Sequence, residues 1–214
     1  MVEPPTTRPL TLEQSAALAG AYRWAEERLF RLAGAWAADP APAAVQVHLD
    51  EVSGQHAWHA QLWADRLPVL DWFDQDAATA PLGPVAGPLL AALAALPADP
   101  AARMAGLYRV VVPRLVVGYD RHLARTAAAT DGPVVRALRL VRRDQVDAWR
   151  AGEALLQDLL AGAGDGAAAV AVASAAARDL ETVVADHGGS AGLFPWPGSV
   201  ATPPTGPKEP QVRP

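Results

Sequence analysis

Apolar residues recur at three- and four-residue spacing along most of the chain, which predicts amphipathic helices. In the first stretch, Leu18, Tyr22, Ala25, Leu29 and Trp36 form one apolar stripe. The same spacing predicts five longer helices and one short helix over residues 89–96. The longer helices are expected over residues 12–38, 42–67, 101–128, 134–161 and 167–186.

Capping residues and prolines set the predicted ends of these helices. Thr11 is a good N-cap, and Gln14 three residues later completes a capping box. Pro68 should end the second helix, because proline in a helix interior loses a backbone hydrogen bond. Pro113 lies inside the third helix and should kink it.

Four long helices, with a crossover of residues 69–88 between the second and third, predict an all-α fold. We expect a four-helix bundle with a fifth, C-terminal helix. Residues 11–187 should form a single domain. Residues 1–10 should be a flexible lead, and the Pro/Gly-rich residues 188–214 a largely disordered tail.

Several polar residues interrupt the apolar stripes. Glu26 lies beside the stripe of the first helix, and His56 occupies a core position on the second, with His59 one turn further. The third and fourth helices contribute the remaining inward or near-inward polar residues. These are Tyr119, His122, Asp144 and Asp147. One such group per helix near mid-length is how metal sites are built inside helical bundles.

Composition excludes several functions. The net charge is −5 with no basic stripe, which argues against a nucleic-acid partner. The chain has no cysteine, so thiolate sites are absent, and no apolar run approaches the roughly 18 residues of a membrane span. No Gly-rich phosphate loop is present, so no nucleotide cofactor is expected. Without a signal segment, we expect a cytoplasmic protein.

Three segments resemble the ferritin-like superfamily: W-A-E-E-R-L-F, D-E-V-S-G-Q-H-A-W and R-R-D-Q-V-D-A-W-R-A-G-E-A-L-L. The resemblance implies a di-iron site with Glu-x-x-His motifs on the second and fourth helices. Here Ser53 replaces the first of those glutamates and Asp147 replaces the second histidine. The third-helix glutamate is replaced by Tyr119, Asp120 or His122. Glu26 alone matches, so the implied centre is degenerate.

The candidate metal ligands are therefore Glu26, His56, His59, His122 and Asp144. Imidazole and carboxylate together suit iron, zinc or manganese. The alternative is that no metal binds and His56 is a core histidine hydrogen-bonded to Asp144 or Tyr119.

The histidines of the second helix also have structural interpretations. His59 stays a candidate ligand, although a surface position beside Trp63 is slightly favoured. His48 and Glu51 are expected to face solvent.

Two functions remain open, so whether the protein is an enzyme is undecided. The first is a ferritin-like bundle with a degenerate or lost metal centre that binds a small molecule or acts as a scaffold. The second is a metal-dependent, non-haem-iron oxidoreductase or oxygenase acting on a small organic substrate. A third, structural hypothesis is a homodimer formed through the fifth helix or the segment around Trp72 and Phe73. The apolar cluster 193–196 is expected to fold over the bundle end, with docking as the alternative.

Overall fold

The computed structural model describes residues 9–127, 130–189 and 192–195, and the regular structure of this part is entirely helical. The predicted all-α class is therefore confirmed for these residues. The helices are α1 (Leu12–Ala37), α2 (Ala43–Ala64), α3 (Gln75–Ala78), α4 (Ala86–Ala94), α5 (Pro100–Ala105), α6 (Val112–Leu123), α7 (Gly132–Gly162) and α8 (Gly166–Asp186). None of the helices in the described ranges is long and apolar enough to cross a membrane.

The long helices pack in pairs around one apolar core. Helix α1 lies along α2, α6 lies along α7, and α5 lies against α8, while α7 also contacts α2. Buried residues of the first two pairs include Leu29, Val52, Leu115 and Leu138. The interior between α1, α2, α6 and α7 is where the inward polar residues meet.

The start of α1 has the predicted capping box. The Thr11 hydroxyl accepts a hydrogen bond from the Gln14 amide at 3.2 Å, and the Gln14 side chain accepts one from the Thr11 amide at 3.0 Å. These two bonds satisfy amide groups that have no partner inside the helix. The capping prediction is confirmed.

Helices α5 and α6 are joined by a π-helical turn, Gly106–Val111, directly before Pro113. A proline clashes with the carbonyl four residues earlier and removes one helical hydrogen bond. The wider π turn accommodates this disruption. The Arg114 guanidinium donates to the Val110 carbonyl at 2.8 Å, which satisfies an acceptor in the same turn. The expected disturbance near Pro113 is therefore an inserted π turn.

The crossover between α2 and α5 contains more helix than expected. Helix α2 ends at Ala64, and the single-turn α3 interrupts the predicted loop. The Asp74 side chain caps α3 by accepting hydrogen bonds from the Asp76 and Ala77 amides, both at 3.0 Å. Helix α4 begins at Ala86, three residues before the predicted start.

Helix α8 buries only part of the face that its apolar spacing predicts, which is Val170, Val172, Leu180 and Val183 or Val184. Leu180 and Val184 are buried, but Val170 and Val172 are 49% and 39% exposed, so the prediction was wrong for these two. The buried residues are Ala173, Ala176, Leu180 and Val184. The small alanine side chains allow α8 to pack closely on α5. A prediction that gives most weight to valine does not identify this face.

The start of the predicted tail folds back onto the bundle. Leu193 and Phe194 are buried, the Leu193 amide donates to the Arg114 carbonyl at 3.2 Å, and the Phe194 ring lies 5.6 Å from the Tyr22 ring. This confirms the folded-back arrangement for these two residues. Trp196 and the other tail residues, 190–191 and 196–214, lie outside the described residues, as do residues 1–8 and 128–129.

Candidate metal centre

Glu26 lies at the middle of the bundle with no exposed surface. It is one turn after Tyr22 and just before Leu29 on the apolar face of α1, so the helix directs its carboxylate into the core. Side chains from three other helices surround it. They are His56 and His59 from α2, Tyr119 from α6 and Gln145 from α7.

Three of these neighbours donate hydrogen bonds to the Glu26 carboxylate. His56 Nδ1 donates to Oε2. The Tyr119 hydroxyl donates to Oε1 at 2.6 Å, and Gln145 Nε2 donates to the same oxygen at 3.3 Å. Each bond comes from a different helix, so the carboxylate joins α1, α2, α6 and α7 at one point.

His59 connects this carboxylate to a second one. Its Nε2 lies 3.2 Å from Oδ2 of Asp144, to which it donates a hydrogen bond. Its Nδ1 lies 3.5 Å from Glu26 Oε1 and is buried without a hydrogen-bond partner among the described residues. Nδ1 faces the interior of the site, where loss of its proton would leave a lone pair for a metal ion.

The buried charges at the site shift the pKa values of Glu26, His59 and Tyr119. Burial alone would raise the pKa of Glu26, but the charges of His56 and His59, together with the hydrogen bond from His56, hold it well below its ordinary value. Burial would lower the pKa of His59, and Glu26 and Asp144 more than reverse this. Burial and the nearby Glu26 charge raise the pKa of Tyr119, so its hydroxyl stays protonated and keeps donating.

Aromatic rings close the side of the site toward α6. The Tyr119 ring lies 4.8 Å from the Tyr22 ring and 5.8 Å from the Trp63 ring, and none of the three is more than 1% exposed. Removing water in this way lowers the local dielectric constant and strengthens every charge interaction at Glu26.

The residues present fit a divalent metal ion. Glu26, His56 and His59 each offer a ligand atom, and these atoms lie within 4.8 Å of one another. A His59 ring that donates one nitrogen to a carboxylate and turns the other to the site is the usual arrangement of a metal-bound histidine. His59 Nδ1 lies 3.5 Å from Glu26 Oε1 without a hydrogen bond, so it is a donor atom that a metal ion could take up.

Two predicted site residues lie elsewhere. His122 is fully buried, but its Nε2 lies 3.3 Å from the Ser15 hydroxyl and its ring packs 5.8 Å from Tyr22. It is not in the ligand group. Asp147 was wrongly predicted to be inward, because its side chain is 58% exposed and pairs with Arg150.

Two histidines expected at the surface are buried. His59 has no exposed surface, and His48 is only 7% exposed. The Tyr108 hydroxyl donates to His48 Nε2 at 2.6 Å, and burial lowers the pKa of His48. The neighbouring Tyr108 in the π turn is what makes this side of α2 part of the core. Glu51 is exposed, as predicted.

Gln145 is the site residue that sequence analysis missed. It is 1% exposed, whereas Asp144, placed in the stripe of the fourth helix, is only half-buried. Gln145 lies four residues after the buried Val141 and seven before the buried Gly152. That spacing was the available signal, but a neutral amide at a core position does not suggest a ligand.

Comparisons with models of protein families, with curated proteins and with solved structures found no match.

Proposed function

We propose that the protein is a ferritin-like helical bundle with a degenerate metal centre, which binds one divalent ion through Glu26, His56 and His59. In this proposal it acts as a binding or scaffold protein. The observation that carries the proposal is the buried group of Glu26, His56 and His59, whose ligand atoms lie within 4.8 Å of one another. Within this group, His59 Nδ1 faces the Glu26 carboxylate at 3.5 Å without a hydrogen bond. A buried polar atom without a partner is costly, and a metal bond would satisfy it.

The charges at the site support the same conclusion. Glu26 is fully buried and Asp144 half-buried, and they flank His59 from opposite sides of its ring. Buried charge must be compensated. One divalent cation, or protons on both imidazoles, would neutralise the two carboxylates, so metal binding should release protons.

The helix pairing and the long crossover support a ferritin-like relationship, while the ligand set supports one ion rather than two. Ser53 stands where the family pattern has a glutamate, and its hydroxyl donates to the Phe30 carbonyl at 3.0 Å instead. On α7, Gln145 supplies a hydrogen bond in place of a ligand. The donors present therefore suit a mononuclear site.

Elemental analysis tests this proposal. Protein expressed with iron, zinc and manganese should carry about one metal ion per chain, because one set of three ligands is present. His56→Ala should abolish stoichiometric binding. His48→Ala is the matched control: it removes a buried histidine of the same helix outside the ligand group and should leave the metal content unchanged. No metal in the wild type, or full occupancy in His56→Ala, would contradict the proposal.

A metal-dependent oxidoreductase or oxygenase is the second candidate. Two histidines and one carboxylate are the donor set of non-haem iron oxygenases, in which further metal positions stay open for reactants. Glu26 and His59 have no exposed surface, however, so a substrate would need an opening of the bundle. Oxygen consumption by iron-loaded protein, compared with zinc-loaded protein, tests this candidate. Equal rates would exclude it.

A further inference from the structure

Asp144 differs from the other side chains around Glu26 in its contact with solvent. Its side chain is 27% exposed, whereas those of Glu26 and His59 are fully buried and that of His56 is 4% exposed. Among the described residues with a hydrogen bond or ion pair to the ligand group, it is thus the one that reaches from the site to the surface.

The carboxylate of Asp144 has no arginine partner in the described part of the chain, although α7 carries several arginines. Arg142 pairs with Asp120 on α6. Arg143 and Arg150 pair with Asp147, one turn along α7. The negative charge of Asp144 is therefore offset only by His59, and it stays available to attract a cation.

Asp144, His59 and Glu26 form a continuous line from the surface to the buried site. Asp144 Oδ2 lies 3.2 Å from His59 Nε2, and His59 Nδ1 lies 3.5 Å from Glu26 Oε1. The Trp58 ring, 47% exposed, lies 5.6 Å from the His59 ring on the same helix. The site is therefore closest to solvent at this position between α2 and α7.

Packing closes the side of the site toward α6 and part of the contact between α1 and α2. Tyr22, Trp63 and Tyr119 cover the side toward α6. Helices α1 and α2 are in close contact, since a Cβ atom added at Gly34 would lie 3.0 Å from the Ser53 hydroxyl. Asp144 is thus the carboxylate through which an ion at the surface can reach His59 and Glu26.

We propose that Asp144 is the capture and positioning residue of the metal centre: its carboxylate binds an incoming divalent cation at the surface and then holds His59 with Nδ1 directed at the ion. This inference rests on the proposed function. It assigns two effects to one side chain, a faster association and a tighter final complex. A purely structural hydrogen bond to His59 would give neither a change in association rate nor its dependence on ionic strength.

Stopped-flow mixing of the metal-free full chain with Co²⁺, followed by cobalt absorption, separates these effects. Asp144→Asn should lower the association rate constant by about tenfold or more, since the steering charge is gone. It should raise the dissociation constant by about 10- to 100-fold, as loss of an outer partner of a metal-bound histidine does. Asp144→Glu keeps the charge and should retain most of the association rate. Asp147→Asn removes the same charge three residues away and should change neither constant.

Each outcome decides between the two proposals. The inference is supported if the wild type binds about one Co²⁺ and if Asp144→Asn is the only variant that binds Co²⁺ slowly. If the wild type binds Co²⁺ and Asp144→Asn matches Asp147→Asn in rate and affinity, the capture role is wrong while the metal site stands. If the wild type binds no Co²⁺, the metal site and the capture role fail together. Should Asp144→Asn not fold, a wild-type association rate that is independent of salt would also overturn the capture role.

Discussion

A carboxylate without exposed surface is compatible with a folded core only when its neighbours compensate its charge. At Glu26 the compensation comes from His56, Tyr119 and Gln145. The same hydrogen bonds that prepare the carboxylate as a ligand also link four helices. Stability of the metal-free bundle and metal affinity should therefore depend on the same side chain.

Glu26→Gln tests this dependence with little change in shape. Breaking a buried ion pair by neutralising one partner costs about 3–5 kcal/mol of unfolding free energy, because the other charge is left uncompensated. Urea unfolding of the metal-free protein measures it. Glu27→Gln is the control, since Glu27 pairs with Arg23 near the surface and such pairs contribute about 0–1 kcal/mol. Equal losses in both variants would show that Glu26 has no special role.

His122 should make the stability of the fold depend on pH. Burial lowers its pKa to about 4, against a smaller opposing effect of Asp131. In the unfolded chain His122 takes up a proton near pH 6.5, whereas in the folded chain it does so only near pH 4. The stabilisation that depends on neutral His122 is therefore complete above the unfolded pKa and is lost as pH falls. Between pH 7 and pH 5 the loss should be about 2 kcal/mol. His122→Gln keeps the contact with Ser15. It should remove this part of the pH dependence of the unfolding free energy, as measured by urea unfolding. The same pH dependence of stability in the wild type and in His122→Gln would contradict the assignment.

At single residues, the sequence predicted some inward positions and not others. His56 was placed in the core because it continues the stripe of Val52 and Leu49. His59 and His48 were placed at the surface because their burial depends on Asp144 and Tyr108, which come from other helices. The rotation of α7 that buries Gln145 instead of Asp144 is likewise set by tertiary packing. A single residue of register changes which polar group reaches the site.

Among the elements, the π turn packs tightly on α7, where the Tyr108 ring lies against the backbone of Gly152. A Cβ atom at Gly152 would lie 2.2 Å from the Tyr108 ring. Tyr108 is thereby held where its hydroxyl reaches His48. The glycine is required by this approach of the two helices and not by any unusual backbone angle.

Gly152→Ala should therefore destabilise the protein. Overpacking of a filled core typically costs about 1–3 kcal/mol. Gly54→Ala provides the matched control in α2, because nothing lies within 4 Å of its added Cβ atom. There the substitution should stabilise by about 0.5–1 kcal/mol, since alanine favours a helix. Thermal unfolding of both variants measures the difference, and a stabilised Gly152→Ala would refute the close contact.

Helix positions followed from apolar spacing, whereas helix irregularities did not. The capping box at Thr11 is a local motif, so the sequence alone was sufficient. Pro113 indicated a disturbance of the helix, but a proline is compatible with either a kink or a π turn. Which of the two forms depends on the contacts of Arg114 and α8. Helix α3 depends on the Asp74 cap within a segment too short to show periodicity.

At the scale of the whole molecule, the returning segment around Leu193 packs on α1 and α6. Leu193→Ala should cost about 2–5 kcal/mol, as truncation of a buried leucine leaves a cavity. Leu12→Ala is the comparison, because Leu12 is 58% exposed and its loss should change stability by no more than about 0.5 kcal/mol. Urea unfolding distinguishes them. Matching midpoints would mean that the segment does not pack on the bundle in solution.

The central claim is that Glu26, His56 and His59 bind one divalent ion. The most direct measurement is anomalous scattering from crystals of the full chain grown with Zn²⁺ or Co²⁺. The account predicts one anomalous peak at about 2.0–2.2 Å from the Glu26 carboxylate and from a ring nitrogen of each histidine. No peak at this position, or a metal bound only by surface residues, would contradict it and leave the cluster as a hydrogen-bonded network.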